Sequence, residues 1–332
     1  MNSSTAPLNP KGLIRRIPLR AHELVQPITP QDHMFVLAHI GIPKVDLLSW
    51  QLEVCGAVES PRRISFEELQ QLPRRRVESF HQCAGFPRRP DLPTRRVVNV
   101  VWTGVRVRDV LATVGVRPHA GYLWAYGLDR GNFEGQTETY VKDLPLADLS
   151  EGDWLLAYEV NGEPLTAEHG FPVRLVVPGY YGTNSVKWLH RLELADHRAS
   201  GPFTTTLYND PVGDPANGKT RPVWKAPPEC LIVSPAAGAH VRVEPVPVWG
   251  WTWGRRAIAK VEVSTDGGLT WSAAALEPRR QWAWQRFTFL WHASASGPCR
   301  LFARATDIDG DTQPMYEARN AIHSVDVDVV PA

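Results

Sequence analysis

A cysteine in a short loop is the first residue whose type and surroundings could do chemistry. Cys83 is followed by a small residue and by Gly85, which is typical of a tight loop, and Arg88 and Arg89 come shortly after. Nearby cations favour the thiolate, the form in which cysteine ligates metals or acts as a nucleophile. The alternative is a buried structural cysteine, since free cysteine is among the residue types most often found in protein cores.

Arginine is concentrated around this loop. Between Arg62 and Arg108 the chain has eleven arginines and four acidic residues, whereas the whole sequence has 36 basic and 35 acidic side chains and a formal charge of +1. A local excess of guanidinium groups needs anions, which are either protein carboxylates elsewhere or a bound oxyanion. The balanced charge of the remainder, without a known binding motif, argues against nucleic acid as a partner.

A second group of basic residues lies in a run that is otherwise apolar. Arg174 stands among valines and a leucine, where an unpaired buried guanidinium would be very costly. It must therefore face a carboxylate or a bound anion. Lys187 follows a loop rich in glycine, serine and threonine, whose backbone amides could hold phosphate. The alternative is an internal arginine–glutamate pair with a surface lysine, and this segment favours neither interpretation.

The elements that must position these residues are short. Ser65-Phe-Glu-Glu68 has the form of a capping box, which predicts a short helix over residues 65–72. Residues 106–116 have one apolar face and predict a second helix that ends at Gly115. Asn161-Gly162 between two strand-like runs predicts a hairpin, and residues 172–178 indicate a buried strand between prolines. We therefore expect an α+β fold for this part of the chain.

Beyond residue 228 the pattern changes to strands alone. Trp249, Trp251 and Trp253 alternate on one face, and Val261 and Val263 alternate with polar residues before an Asp-Gly-Gly turn. About 100 residues of short alternating strands with regular turns are typical of an immunoglobulin-like sandwich. The second half is therefore predicted to be an all-β, immunoglobulin-like domain.

Domain boundaries follow from these changes of pattern. A chain of 332 residues exceeds the usual size of one domain. We expect an N-terminal arm at residues 1–30, a first domain at 31–207, a linker at 208–228 and a second domain at 229–332. The linker is dense in Pro, Gly, Asn and Asp and has no sustained periodicity, so it is predicted to be a long ordered connection.

Composition also bears on compartment and cofactors. The four cysteines are far apart and have no CxxC spacing, which indicates neither a zinc knuckle nor a disulfide framework: Cys55, Cys83, Cys230 and Cys299. No apolar run approaches a membrane span, so we expect a cytoplasmic protein without a membrane partner. No CxxCH or Rossmann fingerprint is present, so neither haem nor flavin is expected.

Four segments resemble a known family. HQCAGFPR, VVWTGVRVRDVL, EVNGEPLTAEHGFPVRLVVPGYYGTNSVKWLHRLEL and VEVSTDGGLTW are similar, in order and spacing, to successive motifs of the sulfite oxidase family of molybdopterin enzymes. The likeness extends from about residue 27 to about residue 325. It implies a mixed α/β first domain that binds molybdenum held by a pyranopterin dithiolene. It also implies that the immunoglobulin-like second domain forms a homodimer.

The resemblance further implies roles for individual residues. Cys83 matches the cysteine that ligates molybdenum, and a soft thiolate suits a metal already held by dithiolene sulfurs. The cofactor-holding positions, among which the arginine and the lysine would neutralise the cofactor's phosphate, are His39, His169, Arg174, Ser185 and Lys187. The substrate-pocket positions are Tyr208, Arg88 and Arg256.

Leu37-Ala38 depart from the family pattern. Members that oxidise sulfite carry Arg-Asn before the histidine that matches His39, so Leu37 makes one wall of the oxyanion pocket apolar. Phe86-Pro87 replace a polar pair, and the segment after Cys83 is shortened, with no match for the usual pocket tryptophan. Losing one charge-assisted contact to an anion costs about 1.5–3 kcal/mol. Sulfite is therefore a weakened prediction for the substrate.

We predict a molybdenum-dependent oxidoreductase that transfers an oxygen atom to or from a small substrate, anionic or sulfur-containing, and passes electrons to a separate acceptor. Arg88 and Arg256 would orient the anion, and Tyr208 would donate a hydrogen bond near the reacting oxygen. A reductase of S-oxides or N-oxides is one alternative. A non-catalytic protein that binds a ligand or partner is another: Leu37 favours it, and the retained Cys83 argues against it.

Overall fold

β-Strands form most of the regular structure. The computed structural model describes residues 13–14, 19–85, 95–214, 217–316 and 319–331. Two compact units are each built from separate stretches of the chain. The first unit contains Met34–Val77 and Val101–Trp224, and the second contains Ile17–His33, Glu78–Val100 and Lys225–Ala332.

Among the described residues, fourteen strands precede residue 225, and two of them, β5 and β6, have residues in both units. The strands are β1 (Leu13–Ile14), β2 (Leu37–Ala38), β3 (Gln51–Gly56), β4 (Arg62–Ser65), β5 (Arg74–Gln82), β6 (Val97–Arg106), β7 (Tyr122–Phe133), β8 (Gln136–Pro145), β9 (Leu155–Val160), β10 (Glu163–Pro164), β11 (Arg174–Val176), β12 (Leu189–Ala195), β13 (Asn209–Pro211) and β14 (Thr220–Pro222).

Two five-stranded sheets contain ten of these strands, and the pairs β1-β2 and β13-β14 form two-stranded sheets. One has the order β4-β3-β12-β7-β8, in which β3 and β12 are parallel and the other pairs are antiparallel. The other has the order β10-β9-β6-β5, and β11 also pairs with β9. Alternation along the strands places one face inward, as for Leu52 and Val54, which are buried while Gln51 is exposed. Leu52, Leu123, Leu156 and Leu175 share one apolar core.

Both predicted helices are present. Helix α1 (Phe66–Gln70) has the capping box: the Glu68 amide donates to Ser65 Oγ at 3.2 Å, and the Ser65 amide donates to Glu68 Oε2 at 2.8 Å. Helix α2 (Val107–Ala112) buries its apolar face and is followed by Gly115 at φ +66°. One π-helical turn (Pro202–Thr206) accompanies five 3₁₀ helices: Ala21–Glu23, Gln31–His33, Leu146–Leu149, Ala167–His169 and Gly182–Asn184.

The predicted hairpin is confirmed. Asn161 and Gly162 connect β9 to β10 with φ of 55° and 90°, the left-handed values that a two-residue turn of this kind requires. Strand β11 lies within the predicted residues 172–178. Within the segment 208–228, predicted to be an ordered connection, β13 and β14 pair antiparallel, and its residues up to Trp224 group with the first unit. Strands of three residues are too short to show periodicity in the sequence.

The C-terminal part of the second unit has nine strands among its described residues: β15 (Glu229–Ser234), β16 (His240–Arg242), β17 (Pro245–Trp253), β18 (Ile258–Ser264), β19 (Ser272–Ala273), β20 (Ala275–Leu276), β21 (Gln285–His292), β22 (Gly297–Asp307) and β23 (His323–Val330). They form a sheet of order β15-β17-β21-β20 and a sheet of order β16-β23-β22-β18-β19. Val248, Phe287, Val261, Leu301 and Val327, from both sheets, pack in one core.

The balance of the fold is more strongly β than the α+β prediction implied. The two α-helices that the structure describes have five and six residues, and strands dominate both units. Helical periodicity is confined to these short segments, whereas alternating and continuous apolar runs occupy most of the chain. None of the described helices has the length and apolarity needed to cross a membrane. All four cysteines are free.

Candidate functional site

Arg174 is the first residue of β11, and its side chain is buried in the first unit. Its Nη1 donates to the His169 carbonyl at 3.0 Å and its Nη2 to the Ser185 carbonyl at 3.1 Å. The guanidinium carbon lies over the Trp102 ring, 4.8 Å from the centroid. Burial lowers the pKa of Arg174, since desolvation disfavours the charged form. A bound anion would offset this cost.

Lys187 lies beside Arg174. A Cβ at Gly170, which has φ +106°, would be 3.1 Å from the Cβ atoms of both Arg174 and Lys187, so glycine permits their close approach. The Lys187 ammonium donates to the carbonyls of Leu37 (2.8 Å) and Glu168 (3.2 Å). Burial, with Arg174 nearby, lowers the pKa of Lys187. Lys187 is therefore a partly buried lysine held by two carbonyls, which favours the anion-binding interpretation over that of a surface lysine.

Asp129 is a buried carboxylate in the same region. A Cβ at Gly127 would lie 2.2 Å from Asp129 Oδ1 and 2.9 Å from the Lys187 carbonyl, so this glycine makes room for the acid. Burial raises the pKa of Asp129, and the positive charge of Lys187 opposes that rise. Asp129 Oδ1 has no hydrogen-bond partner among the described residues.

His39 and Tyr208 share a hydrogen bond between Nε2 and the phenolic hydroxyl. The His39 ring stacks on Tyr140 with centroids 5.9 Å apart and planes at 8°. Burial, assisted by the charges of Lys187 and Lys142, lowers the pKa of His39 to about 4, so the imidazole is neutral at pH 7. Its Nδ1 is buried without a hydrogen-bond partner in the described part of the chain.

Tyr208 has a backbone conformation that side-chain-bearing residues rarely adopt, with φ 58°. Such conformations cost on the order of 1–3 kcal/mol and persist where the surroundings impose them. Here the Val223 amide donates to the Tyr208 carbonyl at 2.8 Å, next to the paired strands β13 and β14. The segment predicted to be a linker therefore also fixes the direction of the Tyr208 hydroxyl.

The remaining predicted positions of the first unit are held by local hydrogen bonds. Thr166 Oγ1 and His169 Nδ1 are 2.8 Å apart, which orients the imidazole. Ser185 Oγ accepts from the Val177 amide at 3.1 Å. The first unit thus contains six of the predicted site residues, namely His39, His169, Arg174, Ser185, Lys187 and Tyr208.

These residues fit an anionic cofactor that also has hydrogen-bonding groups. Arg174 is buried and Lys187 is partly buried beside it, so the two positive charges could neutralise a phosphate. His39 Nδ1 and Asp129 Oδ1 are buried polar atoms without protein partners among the described residues, and such atoms are rare because each costs about 1–3 kcal/mol. We name His39, Asp129, Arg174 and Lys187 the cofactor cradle.

Cys83 belongs to the second unit, where it is 5% exposed at the end of β5. Its amide donates to the Arg96 carbonyl at 2.9 Å, and Arg96 Nη2 donates to the Gly85 carbonyl at 3.1 Å. A Cβ at Gly85 would be 3.3 Å from Arg96 Nη2 and 3.9 Å from Cys83 Sγ, so both groups border this glycine. Among the described residues, no group of three or more His, Cys, Asp or Glu side chains is placed to hold a metal.

The residue before Cys83 is Gln82, and both polar atoms of its side-chain amide are hydrogen-bonded. Trp253 Nε1 donates to Gln82 Oε1 at 2.9 Å, and Gln82 Nε2 donates to Glu229 Oε2 at 2.7 Å. Burial raises the pKa of Glu229 to about 8, against the opposing effects of the Gln82 hydrogen bond and of two nearby arginines. Residues from β15 and β17 therefore position the backbone that carries Cys83.

The structure describes one of the two predicted pocket arginines. Arg256, in the second unit, is half-exposed and forms a bidentate ion pair with Asp309, at 2.6 Å and 3.1 Å. Its role toward a substrate stays a prediction. Arg88 lies outside the described residues. Part of the arginine excess is balanced by carboxylates, as in the pairs Arg62–Glu68 and Arg74–Glu159.

Sequence reasoning missed several buried polar residues. Asp129 lies in β7, Lys142 lies in β8, and Glu229 starts β15. Each occupies a strand where alternation alone leaves open whether a polar side chain faces solvent. The only local signal is Gly127 two residues before Asp129, since a glycine within a strand often marks a close approach.

Two family models match the chain in succession. The oxidoreductase molybdopterin binding domain matches residues 39–203, and the Mo-co oxidoreductase dimerisation domain matches residues 220–327. The first match includes every residue of the cofactor cradle and also Cys83. The second includes most of the nine C-terminal strands.

Relatives cover most of the chain. The sulfite oxidase of Arabidopsis thaliana is 30% identical over 346 residues, covering 92% of this chain and 87% of that protein. The mitochondrial sulfite oxidase of Mus musculus is 33% identical over 346 residues, covering 92% of this chain. The chain spans 62% of the length of that mitochondrial relative.

A solved structure is also similar along nearly the whole chain. The sulfane dehydrogenase SoxCD from Paracoccus pantotrophus has a TM-score of 0.81 and 27% identity, covering 98% of this chain and 86% of that one. The fold, the successive domain matches and the extended identity agree. The chain belongs to the sulfite oxidase family of molybdopterin-dependent oxidoreductases.

Proposed function

We propose that this protein is a molybdenum-dependent oxidoreductase that transfers an oxygen atom to or from a small substrate, anionic or sulfur-containing, and passes electrons to a separate acceptor. The cofactor cradle is the observation that carries the proposal, because it combines two adjacent cations with buried polar atoms that have no hydrogen-bond partner among the described residues. When bound, the molybdenum pyranopterin supplies the two-electron redox change.

The residues of this chain would bind the cofactor and orient the substrate. Arg174 and Lys187 would neutralise the cofactor phosphate, and Asp129 Oδ1 would accept from an N–H of the pterin. Cys83 would supply the thiolate ligand of the metal. Tyr208, held by its strained backbone and by His39, would donate a hydrogen bond to the substrate oxygen.

The substrate is proposed to be an oxyanion or oxide of sulfur. The relatives named above are called sulfite oxidases and a sulfane dehydrogenase, so both act on sulfur compounds. Leu37, whose carbonyl accepts from Lys187, puts an apolar side chain where sulfite-oxidising members have arginine. This substitution supports a substrate other than sulfite, or a weaker affinity for sulfite. Arg88 and Arg256 remain candidates for orienting the anion.

The protein is proposed to form a homodimer through its C-terminal strands. The match to a dimerisation domain supports this assembly, and two sheets that share one core are compatible with the predicted immunoglobulin-like sandwich. A two-fold arrangement is the commonest way for identical chains to associate. The cytoplasmic location stays a prediction.

Metal and pterin analysis tests the proposed function directly. Protein purified from a molybdenum-replete host should contain nearly stoichiometric molybdenum and pterin, whereas their absence would favour the non-catalytic binding protein. Cys83→Ser should abolish turnover and leave the melting temperature nearly unchanged. A fully active Cys83→Ser protein would remove this thiolate from the mechanism.

A further inference from the structure

Lys142 is a buried cation whose hydrogen-bonding capacity is only partly used. Its side chain is 1% exposed and lies on β8. The ammonium donates to the Phe203 carbonyl at 2.7 Å, and no other described residue accepts a hydrogen bond from it or pairs with it as a carboxylate. An ammonium group has three N–H donors. Two of them therefore remain for a ligand.

The neighbouring carboxylate, Asp143, favours the charged form of Lys142 but forms no ion pair with it. Asp143 is buried and forms a bidentate ion pair with Arg198, at 2.7 Å and 3.0 Å. Successive side chains of a strand point to opposite faces of the sheet, so Lys142 and Asp143 lie on different faces of β8. The positive charge of Lys142 consequently has no protein counter-ion within 4 Å in the described part of the chain.

The neighbours of Lys142 are the polar groups of the proposed substrate pocket. Its Nζ is 5.3 Å from the centroid of the Tyr208 ring. Tyr208 in turn is hydrogen-bonded to His39. Phe203, whose carbonyl holds the ammonium, packs against the His39 ring at 5.2 Å between centroids. Lys142, Tyr208 and His39 therefore form one cluster.

The two cations of the cofactor cradle occupy a different position from Lys142, although His39 borders both. Arg174 lies over the Trp102 ring at 4.8 Å, and Lys187 lies over the Trp188 ring at 4.2 Å. Lys142 packs against another ring and donates to another carbonyl. The first unit thus has two places where buried positive charge needs an anion, and the cofactor phosphate accounts for only one of them.

We propose that Lys142 is a substrate-binding residue that holds one oxygen of a small oxyanion beside the Tyr208 hydroxyl. Its charge takes the place of the arginine that Leu37 has replaced. This inference rests on the proposed function and extends it, because it names the group that selects a negatively charged substrate. The ligand class is a sulfur oxyanion, or an oxyanion of similar size, with an oxygen that can accept from an ammonium.

The test uses the molybdenum-loaded protein with two anions, sulfite as a reactant and sulfate as a non-reacting ligand. Lys142→Met keeps an unbranched side chain without the charge, and Lys142→Arg keeps the charge. In Lys142→Met, the KM for sulfite and the Kd for sulfate measured by calorimetry should rise about 10- to 100-fold, with a smaller change in kcat. Lys142→Arg should retain most of the affinity, and the exposed control Lys219→Met all of it.

A neutral ligand separates charge recognition from a packing defect. Dimethyl sulfoxide has a sulfur–oxygen group without a net charge, so its affinity for Lys142→Met should stay within about twofold of the wild-type value, since no ion contact is lost. Equal losses for sulfate and for dimethyl sulfoxide would overturn the proposal. Adding Leu37→Arg to Lys142→Met should restore sulfate binding, and no recovery would also count against a charge role.

The two proposals fail in distinguishable ways. If the wild-type protein contains no molybdenum and pterin, the proposed function fails and this inference fails with it. If the loaded wild-type protein binds sulfate and Lys142→Met binds it equally well, only the role of Lys142 is overturned. A loaded wild-type protein that binds neither anion overturns the role of Lys142 as well.

Discussion

Buried cations of the first unit and surface arginines of the second unit are arranged in opposite ways. Lys142 and Lys187 are held by backbone carbonyls, and neither has a carboxylate within 4 Å among the described residues. In the second unit, Arg256 and Arg300 are each more than half-exposed, and each forms a bidentate pair with an aspartate. In the described part of the chain, the two lysines form no ion pair with a carboxylate, whereas each of the two exposed arginines does.

This difference separates binding residues from solubility and stability residues. Exposed ion pairs contribute little, because water screens both charges. A buried charge without a partner is retained against its desolvation cost, which is understandable when a ligand supplies the missing charge. The comparison therefore predicts large effects on ligand loading from the first set and small effects from the second.

Removing the cradle lysine should have the largest effect. Lys187→Met should reduce the molybdenum and pterin content of the purified protein more than tenfold, because a charged contact to phosphate is lost and two donors to carbonyls disappear. Apoprotein stability should change much less than loading, since the buried charge itself is unfavourable. Metal analysis and thermal melting of the same preparations measure the two effects.

A paired cation of the same unit provides the control. Arg191 lies 2.9 Å from a carboxylate oxygen of Glu193 and 3.5 Å from one of Glu53, and it is about one-third exposed. Arg191→Met should leave the molybdenum content unchanged. Equal molybdenum and pterin contents in Lys187→Met and the wild-type protein would contradict a role of Lys187 in binding the cofactor.

The next largest effect is expected on sulfite turnover, when a positive charge is introduced at Leu37. Leu37→Arg should raise kcat/KM for sulfite about tenfold, since one charge-assisted contact is worth about 1.5–3 kcal/mol in favourable geometry. Steady-state assays with sulfite measure the gain, and Leu37→Met controls for the change of side-chain length. No gain in sulfite turnover would contradict the alignment that places Leu37 at the family's arginine position.

Local patterns were sufficient to predict several elements. The capping box at Ser65, the apolar face of α2 and the Asn161-Gly162 turn depend on neighbours within a few residues, and the structure has all three. Arg174 was also recognisable, because an arginine within an apolar run is informative wherever the run is placed. These features need no knowledge of the tertiary fold.

Other features depend on contacts between distant parts of the chain. Lys142 and Glu229 are indistinguishable in sequence from polar residues on the exposed face of a strand, and only packing shows that they are buried. Arg256 reaches Asp309, which is 53 residues away. The segment 208–228 is predicted to be a connection because strands of three residues show no periodicity in the sequence. In the structure β13 and β14 pair within it, and the Val223 amide donates to the Tyr208 carbonyl. Burial and pairing over such separations are tertiary properties.

A buried carboxylate of the second unit, Glu229, gives a pH prediction. Burial raises the pKa of Glu229 from 4.5 to about 8. The folded state then binds the proton more tightly than the unfolded state, so stability is highest below the unfolded pKa and falls as pH rises through the range from about 4.5 to about 8. The loss across this range is on the order of a few kcal/mol.

Glu229→Gln removes this titration and keeps an acceptor for the Gln82 amide. Between pH 5.5 and pH 8 the melting temperature of the wild-type protein should fall by several degrees more than that of Glu229→Gln. The comparison of slopes cancels the contributions of all other titrating groups. Parallel slopes would show that Glu229 is ionised in the folded protein at neutral pH and is compensated by its arginine neighbours.

The smallest effect on stability is expected when an exposed ion pair is removed. Comparing two such variants tests whether Arg256 also binds the substrate. Arg256→Ala and Arg300→Ala each remove a bidentate partner of an exposed aspartate, so each should shift Tm by about 2 °C or less. If the Asp309 pair is the whole role of Arg256, kcat/KM in the two variants should agree within about twofold, since neither would then touch the transition state. A loss of kcat/KM confined to Arg256→Ala would restore the substrate role that the sequence predicts. Such a loss would also mean that this guanidinium exchanges its aspartate for the substrate during turnover.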